Sequence, residues 1–147
     1  MREILKYDLT YPEDFADNLT RYIESIDCGI ILRSNSYLSK KDKHSVRSSY
    51  DFLAGLSAQS ICRPTADKLN HLRKKYSDIN DWIFGYIGYD IKNEIEDLTS
   101  ENFDGLGFND LFFFQPKIVM LFKEDKLNVK YYPETTTVDE VAKLVQL

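Results

Sequence analysis

The stretch from Phe112 to Tyr132 limits the fold more than any other part of the chain. Phe112-Phe113-Phe114-Gln115-Pro116 leads into an apolar run from Lys117 to Phe122. The charged tetrad Lys123-Glu124-Asp125-Lys126 follows, and a second run extends from Leu127 to Tyr132. Two β-rich runs joined by a short polar loop predict a hairpin, and a hairpin commits its strands to antiparallel pairing. Pro116 has no N–H to give to a ladder, so this reading puts it at an edge, at a strand start or at a bulge.

The remaining segments fit around such a hairpin. Thr10-Tyr11-Pro12-Glu13 predicts a helix start, with Thr10 as cap, Glu13 in the capping-box position and Pro12 at an early helical position. Phe15, Leu19, Tyr22, Ile23 and Ile26 then recur at helical spacing. Cys28 to Ser34 is a short apolar run with a polar end, which predicts a buried strand. Residues 35–49 are polar and basic, with Lys40, Lys41, Lys43, His44 and Arg47, and are expected to form a surface loop. An anion site there would need a glycine-rich turn or a helix start, and the segment has neither. Tyr50 to Ile61 predicts a second strand, whose apolar part is Phe52, Leu53, Ala54 and Leu56. Pro64-Thr65-Ala66 is expected to begin a second helix with Leu69, Leu72 and Tyr76 on one side.

Trp82 to Tyr89 is aromatic and β-rich. Ile91, Ile95 and Leu98 then suggest a short helix. Thr137-Val138-Asp139-Glu140 is a second capping-box pattern, opening a helix with an apolar face of Val138, Val141, Ala142, Leu144 and Val145. The predicted order is helix, strand, strand, helix, strand, helix, hairpin, helix. Crossover helices do not regularly separate the strands, so the expected class is α+β with a mainly antiparallel sheet. A chain of 147 residues is long enough for one domain with its own core. The last helix begins on a proper cap yet stops at Leu147 without a glycine or a polar tail, so the chain is expected to continue in a longer protein.

Composition narrows the function classes. The net charge of −5 argues against a nucleic-acid surface, which needs an excess of Lys and Arg to replace counterions on phosphates. No run approaches the roughly 20 apolar residues of a membrane span, and Met1 to Tyr7 lacks the apolar core of a signal peptide. Two cysteines, Cys28 and Cys62, are too few for a disulfide scaffold and are expected to be buried thiols of a cytoplasmic protein.

Candidate chemistry is sparse. His44 and His71 are far apart and neither has cysteine or carboxylate at ligand spacing, which argues against a metal site. A nucleophilic pair of Cys62 and His71 is disfavoured because His71 falls on a predicted helix, where a surface position is the simpler reading. The Asn18-Leu19-Thr20 sequon lies in a predicted helix and carries no meaning in a cytoplasmic protein. Glu94, Glu96 and Asp97 are read as a solvated helix face rather than a carboxylate site. Gly85-Tyr86-Ile87-Gly88 is too short to cradle a phosphate; its simpler reading is close backbone approach, where a side chain would clash with a neighbouring element.

One resemblance goes further. Phe84-Gly85-Tyr86-Ile87-Gly88-Tyr89-Asp90-Ile91, followed by Lys92-Asn93-Glu94-Ile95-Glu96-Asp97-Leu98, resembles the Gly-Tyr-Asp segment and short helix of the component I enzymes. These are the anthranilate and para-aminobenzoate synthases. Ile30 to Ser34 resembles that family's strand ending in a Leu-x-Ser element, and Tyr50 to Ala54 its next strand. Arg33, where anthranilate synthases usually have glutamate, and the Phe-Phe-Gln-Pro context are closer to the para-aminobenzoate branch.

The resemblance implies an amino-terminal domain that forms half of an orthogonal β-sandwich in the full enzyme. It also implies a chorismate-aminating catalytic domain beyond Leu147, which would hold magnesium and the acid-base residues, and a glutamine amidotransferase partner that supplies ammonia. No catalytic residue or metal ligand falls within this chain on that reading. It makes Leu32, Arg33 and Ser34, with Ser48 and Ser49, candidates for one side of a tryptophan-type pocket, and Gly85, Gly88, Tyr89 and Asp90 the family signature. An apolar face left open by the missing domain would drive self-association. The alternatives are the same domain of anthranilate synthase and a free-standing small-molecule binding module.

Overall fold

The computed structural model describes residues 1–34, 50–96, 105 and 107–147. The elements are β1 (Glu3–Asp8), α1 (Pro12–Glu24), β2 (Gly29–Arg33), β3 (Phe52–Cys62), α2 (Lys68–Ile79) and β4 (Phe84–Ile87). A 3₁₀ turn (Tyr89–Ile91), α3 (Lys92–Ile95), β5 (Leu111–Lys123), β6 (Lys126–Tyr131) and α4 (Val138–Val145) complete the chain. The class is α+β. Six strands form one sheet in the order β1-β6-β5-β3-β2, with β4 also paired to β5, and the registered pairs are antiparallel. The chain divides into two compact units, one of Met1–Ala58 with Pro116–Leu147 and one of Gln59–Gln115.

In the first unit the expected hairpin closes at Glu124 and Asp125. Both have positive φ, 50° and 65°, and Lys123 pairs with Lys126 across them. Two left-handed residues in succession match the right-handed twist of the flanking strands. β6 alternates strictly, with Leu127, Val129 and Tyr131 buried. These side chains join Ile118, Met120 and Phe122 of β5 and Phe52, Ala54 and Leu56 of β3. Phe15, Ala16 and Leu19 of α1, with Val141 and Leu144 of α4, complete the same cluster. The Thr137 capping box is present in full: Glu140 N–H donates to Thr137 Oγ at 3.2 Å, and Thr137 N–H donates to Glu140 Oε2 at 2.7 Å.

Several expectations are corrected in this unit. β1 pairs with β6 from Glu3 to Asp8, although its charged sequence gives little strand signal. Only Leu5 and Tyr7 of this edge strand pack on the core, and charges on an edge discourage pairing with other chains. Helix α1 is not capped by Thr10: Tyr11 is the N-cap, makes no side-chain cap bond, and leaves Pro12 at the first helical position. Val138 is exposed rather than part of the buried face of α4.

Pro116 lies inside a central strand and is fully buried. It falls between the residues of β5 that pair with β4, Leu111 to Phe114, and those that pair with β6, Ile118 to Lys123. The missing N–H therefore falls outside both of those ladders. Arg2 tends the same spot, donating to the carbonyls of Pro116 at 2.5 Å and Lys117 at 2.9 Å.

The second unit is built on the β4–β5 pairing. Trp82, Phe84, Phe114, Phe112 and Tyr86 form a chain of neighbouring rings with centroids 6.1–6.4 Å apart. Helix α2 begins at Lys68, four residues after Pro64, and Tyr76 is exposed rather than packed. Leu72, Lys75 and Ile79 instead face Cys62, Ile83 and Phe113. Asn80 caps the C-terminus in the left-handed conformation that Asn tolerates.

Candidate functional site

Two places hold the residues singled out by sequence. The first is a cleft of about 660 Å³ in the first unit. Arg33 and Ser34, at the end of β2, line it with Glu13, Ala16, Asp51, Phe52, Phe122, Glu124 and Asp125. Its apolar wall includes Phe52 and Phe122, stacked with centroids 4.9 Å apart. Leu32, the third residue expected here, is exposed and not among the lining residues. Ser48 and Ser49 lie outside the described residues, as does the basic stretch 35–49.

Arg33 is not a free cation. Its guanidinium donates to Glu13 at 2.5 Å and to Asp17 at 2.6 Å, both one turn apart on α1, so it ties the end of β2 to that helix. The bond to Asp17 is the main reason its pKa is raised further. The Ser34 hydroxyl donates to the Asp51 carbonyl at 2.9 Å, and the Glu124 N–H donates to Asp51 Oδ2 at 3.0 Å. Four carboxylates therefore line the cleft against one guanidinium that is already paired, a balance that favours an ammonium over a carboxylate. Sequence reading did not pick out Glu13, Asp51, Glu124 or Asp125 for this cleft. They come from three separate segments, and no spacing in the chain joins them.

The second place is the Gly-Tyr-Asp segment. A Cβ on Gly85 would stand 2.0 Å from the Phe112 carbonyl oxygen and 2.6 Å from the Phe113 Cα, so only glycine fits there. This is the close backbone approach expected from sequence. At Gly88 the approach is milder, with Asp110 backbone atoms at 3.3 Å, and the Gly88 N–H donates to the Asp110 carbonyl at 2.7 Å. Past that anchor the chain turns outward. Tyr89 is 81% exposed, with the Lys92 ammonium 3.8 Å from its ring centroid, and Asp90 stands 3.7 Å from the same ammonium.

Behind the segment, Lys68 bridges Glu94 at 2.8 Å and Asp110 at 3.1 Å. Glu94 also accepts from the Lys68 N–H at 3.0 Å, where Asp67, the N-cap of α2, makes no side-chain cap bond. Glu94 is thus an ion-pair and capping residue rather than part of a solvated face. The hydrogen bond from Lys68 holds its carboxyl below the usual range. Asp97 and Leu98 lie outside the described residues. His71 is exposed, with Nδ1 2.9 Å from the Asp67 carbonyl oxygen. Cys28 is buried and Cys62 half-buried, and both are free thiols.

Among the described residues, no group of three His, Cys, Asp or Glu side chains is placed to hold a metal ion, and no helix is long and apolar enough to cross a membrane. Comparison of the chain with models of protein families, with curated proteins and with solved structures gave no match.

Proposed function

We propose that this chain is the amino-terminal, non-catalytic domain of a para-aminobenzoate synthase component I. The whole enzyme would aminate chorismate to 4-amino-4-deoxychorismate on the route to folate, in the cytoplasm. The observation that carries the reading is the fit of the Gly-Tyr-Asp segment to its surroundings. Gly85 sits where the neighbouring backbone excludes any side chain, and the strand then delivers Tyr89 and Asp90 to the surface. A motif whose glycine is demanded by packing and whose polar end faces outward suits a junction with another domain.

The surface nearby supports the same reading. Tyr86, Ile87 and Ile95 are exposed beside the segment, and Phe108, two residues before the Gly88 anchor at Asp110, is 71% exposed. Large apolar side chains left exposed along one segment support an interaction surface there. The catalytic domain of the full enzyme, with magnesium, is the proposed cover, and a glutamine amidotransferase the proposed second partner. Alone, the chain would catalyse nothing and would self-associate through this face.

The test uses the polypeptide encoded by the whole gene, supplied with chorismate, magnesium and an ammonium salt. Formation of 4-amino-4-deoxychorismate is the expected outcome. Anthranilate instead would move the protein to the tryptophan branch of the same family. A folded product that consumes no chorismate would overturn the synthase reading and favour a free-standing binding module.

A further inference from the structure

Away from both places described above, the first unit has a second concavity, of about 390 Å³. It lies where the start of the Lys117–Phe122 run, the kink of β3 at Ser57 and helix α4 come together. Ser57 takes a φ of 53°, a conformation that residues with a side chain seldom adopt, and its N–H donates to the Cys28 carbonyl at 2.8 Å. Ile118 and Leu144, both buried, supply an apolar wall, with Tyr22 beside them.

Three polar groups on this wall make no side-chain hydrogen bond or ion pair among the described residues. Thr136 is only 6% exposed, yet its hydroxyl makes no hydrogen bond among the described residues. A hydroxyl left unbonded at such a position is free to donate to a ligand in the concavity. The ammonium groups of Lys117 and Lys143 also line the concavity, and neither is within ion-pair distance of a carboxylate among the described residues. Glu140 is the one acid on the wall. Its carboxylate already accepts from the Thr137 N–H at 2.7 Å and the Thr137 hydroxyl at 3.0 Å, and those bonds, with the charges of Lys143 and Lys117, hold its pKa below the usual range. Two lysine ammonium groups, one acidic side chain and an unbonded hydroxyl therefore face an apolar wall, in a volume within the range of small-molecule sites.

We propose that this concavity binds a small organic carboxylate with an apolar body, the carboxylate held by Lys117, Lys143 and the Thr136 hydroxyl, and the body lying on Ile118 and Leu144. The proposal does not rest on the synthase reading; it needs only the folded first unit.

The experiment is an NMR titration of the intact chain with benzoate, with benzamide (the same shape without the charge) and with inorganic phosphate (the charge without the ring). Benzoate is expected to saturate with a Kd of about 1 mM or tighter, shifting the amides of Thr136, Ile118 and Leu144. Benzamide and phosphate should each bind at least about tenfold more weakly. Thr136→Val and the double substitution Lys117→Gln with Lys143→Gln should each weaken benzoate by about tenfold at unchanged Tm. No saturable shift with benzoate would overturn the proposal. So would equal binding of benzamide or phosphate, or shifts confined to the cleft at Arg33.

Discussion

In the unit of Met1–Ala58 and Pro116–Leu147, helices α1 and α4 bury Phe15, Ala16, Leu19, Val141 and Leu144 in one cluster with three strands. In the unit of Gln59–Gln115, helix α2 buries no residue, and among the described residues the buried apolar side chains are Phe84, Ile91, Leu111 and Phe114. The contrast begins in sequence. Helix α1 carries two adjacent rows of apolar residues, whereas Lys68 to Ile79 offers only Leu69, Leu72, Tyr76 and Ile79 among charged neighbours. A narrow stripe covers little of a sheet, so the second unit depends more on backbone fit and ion pairs. Tyr76, Tyr86, Ile87, Tyr89, Ile95 and Phe108 remain exposed there. One chain thus holds a unit built on a packed apolar cluster and another that leaves large apolar side chains exposed.

The largest expected effect lies in the first unit. Phe122→Ala removes a buried ring stacked on Phe52 and should cost about 3–5 kcal/mol in urea unfolding. Leu72→Ala, on the half-buried face of α2, should cost less than about 2 kcal/mol. Equal costs would break the contrast. Gly85→Ala should cost about 1–3 kcal/mol by forcing β4 away from β5. Hydrogen exchange should then show protection lost between Phe84 and Ile87 but kept in the β1–β6 ladder; loss in both would mean that the units unfold together.

Thiol labelling sharpens the same comparison. Burial, with Asp27 adding to it, pushes the Cys28 thiol up to about 11, so a thiol reagent at neutral pH should modify half-buried Cys62 at least about tenfold faster. Thr137→Ala removes a realised capping box and should cost about 1 kcal/mol, while Thr10→Ala, which caps nothing, should cost only a few tenths.

The smallest effect is a pH dependence in the second unit. The Lys68 hydrogen bond holds the Glu94 carboxyl below its usual range. Its contribution to stability is therefore fully present above the ordinary carboxylate range and is lost as pH falls through the lowered value. Glu94→Gln should flatten the acid limb of the stability profile. An unchanged limb would show that the ion pair contributes nothing in solution.

What could be read from sequence was local. The antiparallel α+β class, the hairpin at Glu124 and Asp125, the Thr137 cap and the tight packing at Gly85 all follow from periodicity, turn chemistry and single-residue geometry within a few positions. Tertiary structure decided what depends on distant partners. Glu3 to Asp8 is a strand because β6 offers it an edge, and Pro116 is tolerated in a central strand because two neighbours end on either side of it. Arg33 is neutralised by Glu13 and Asp17 of α1, and Arg2 reaches Pro116 across 114 positions of chain. The separation has a physical cause. Caps and turns are satisfied by atoms a few bonds away, whereas a charge, an edge or a missing N–H takes its meaning from whatever the fold brings beside it.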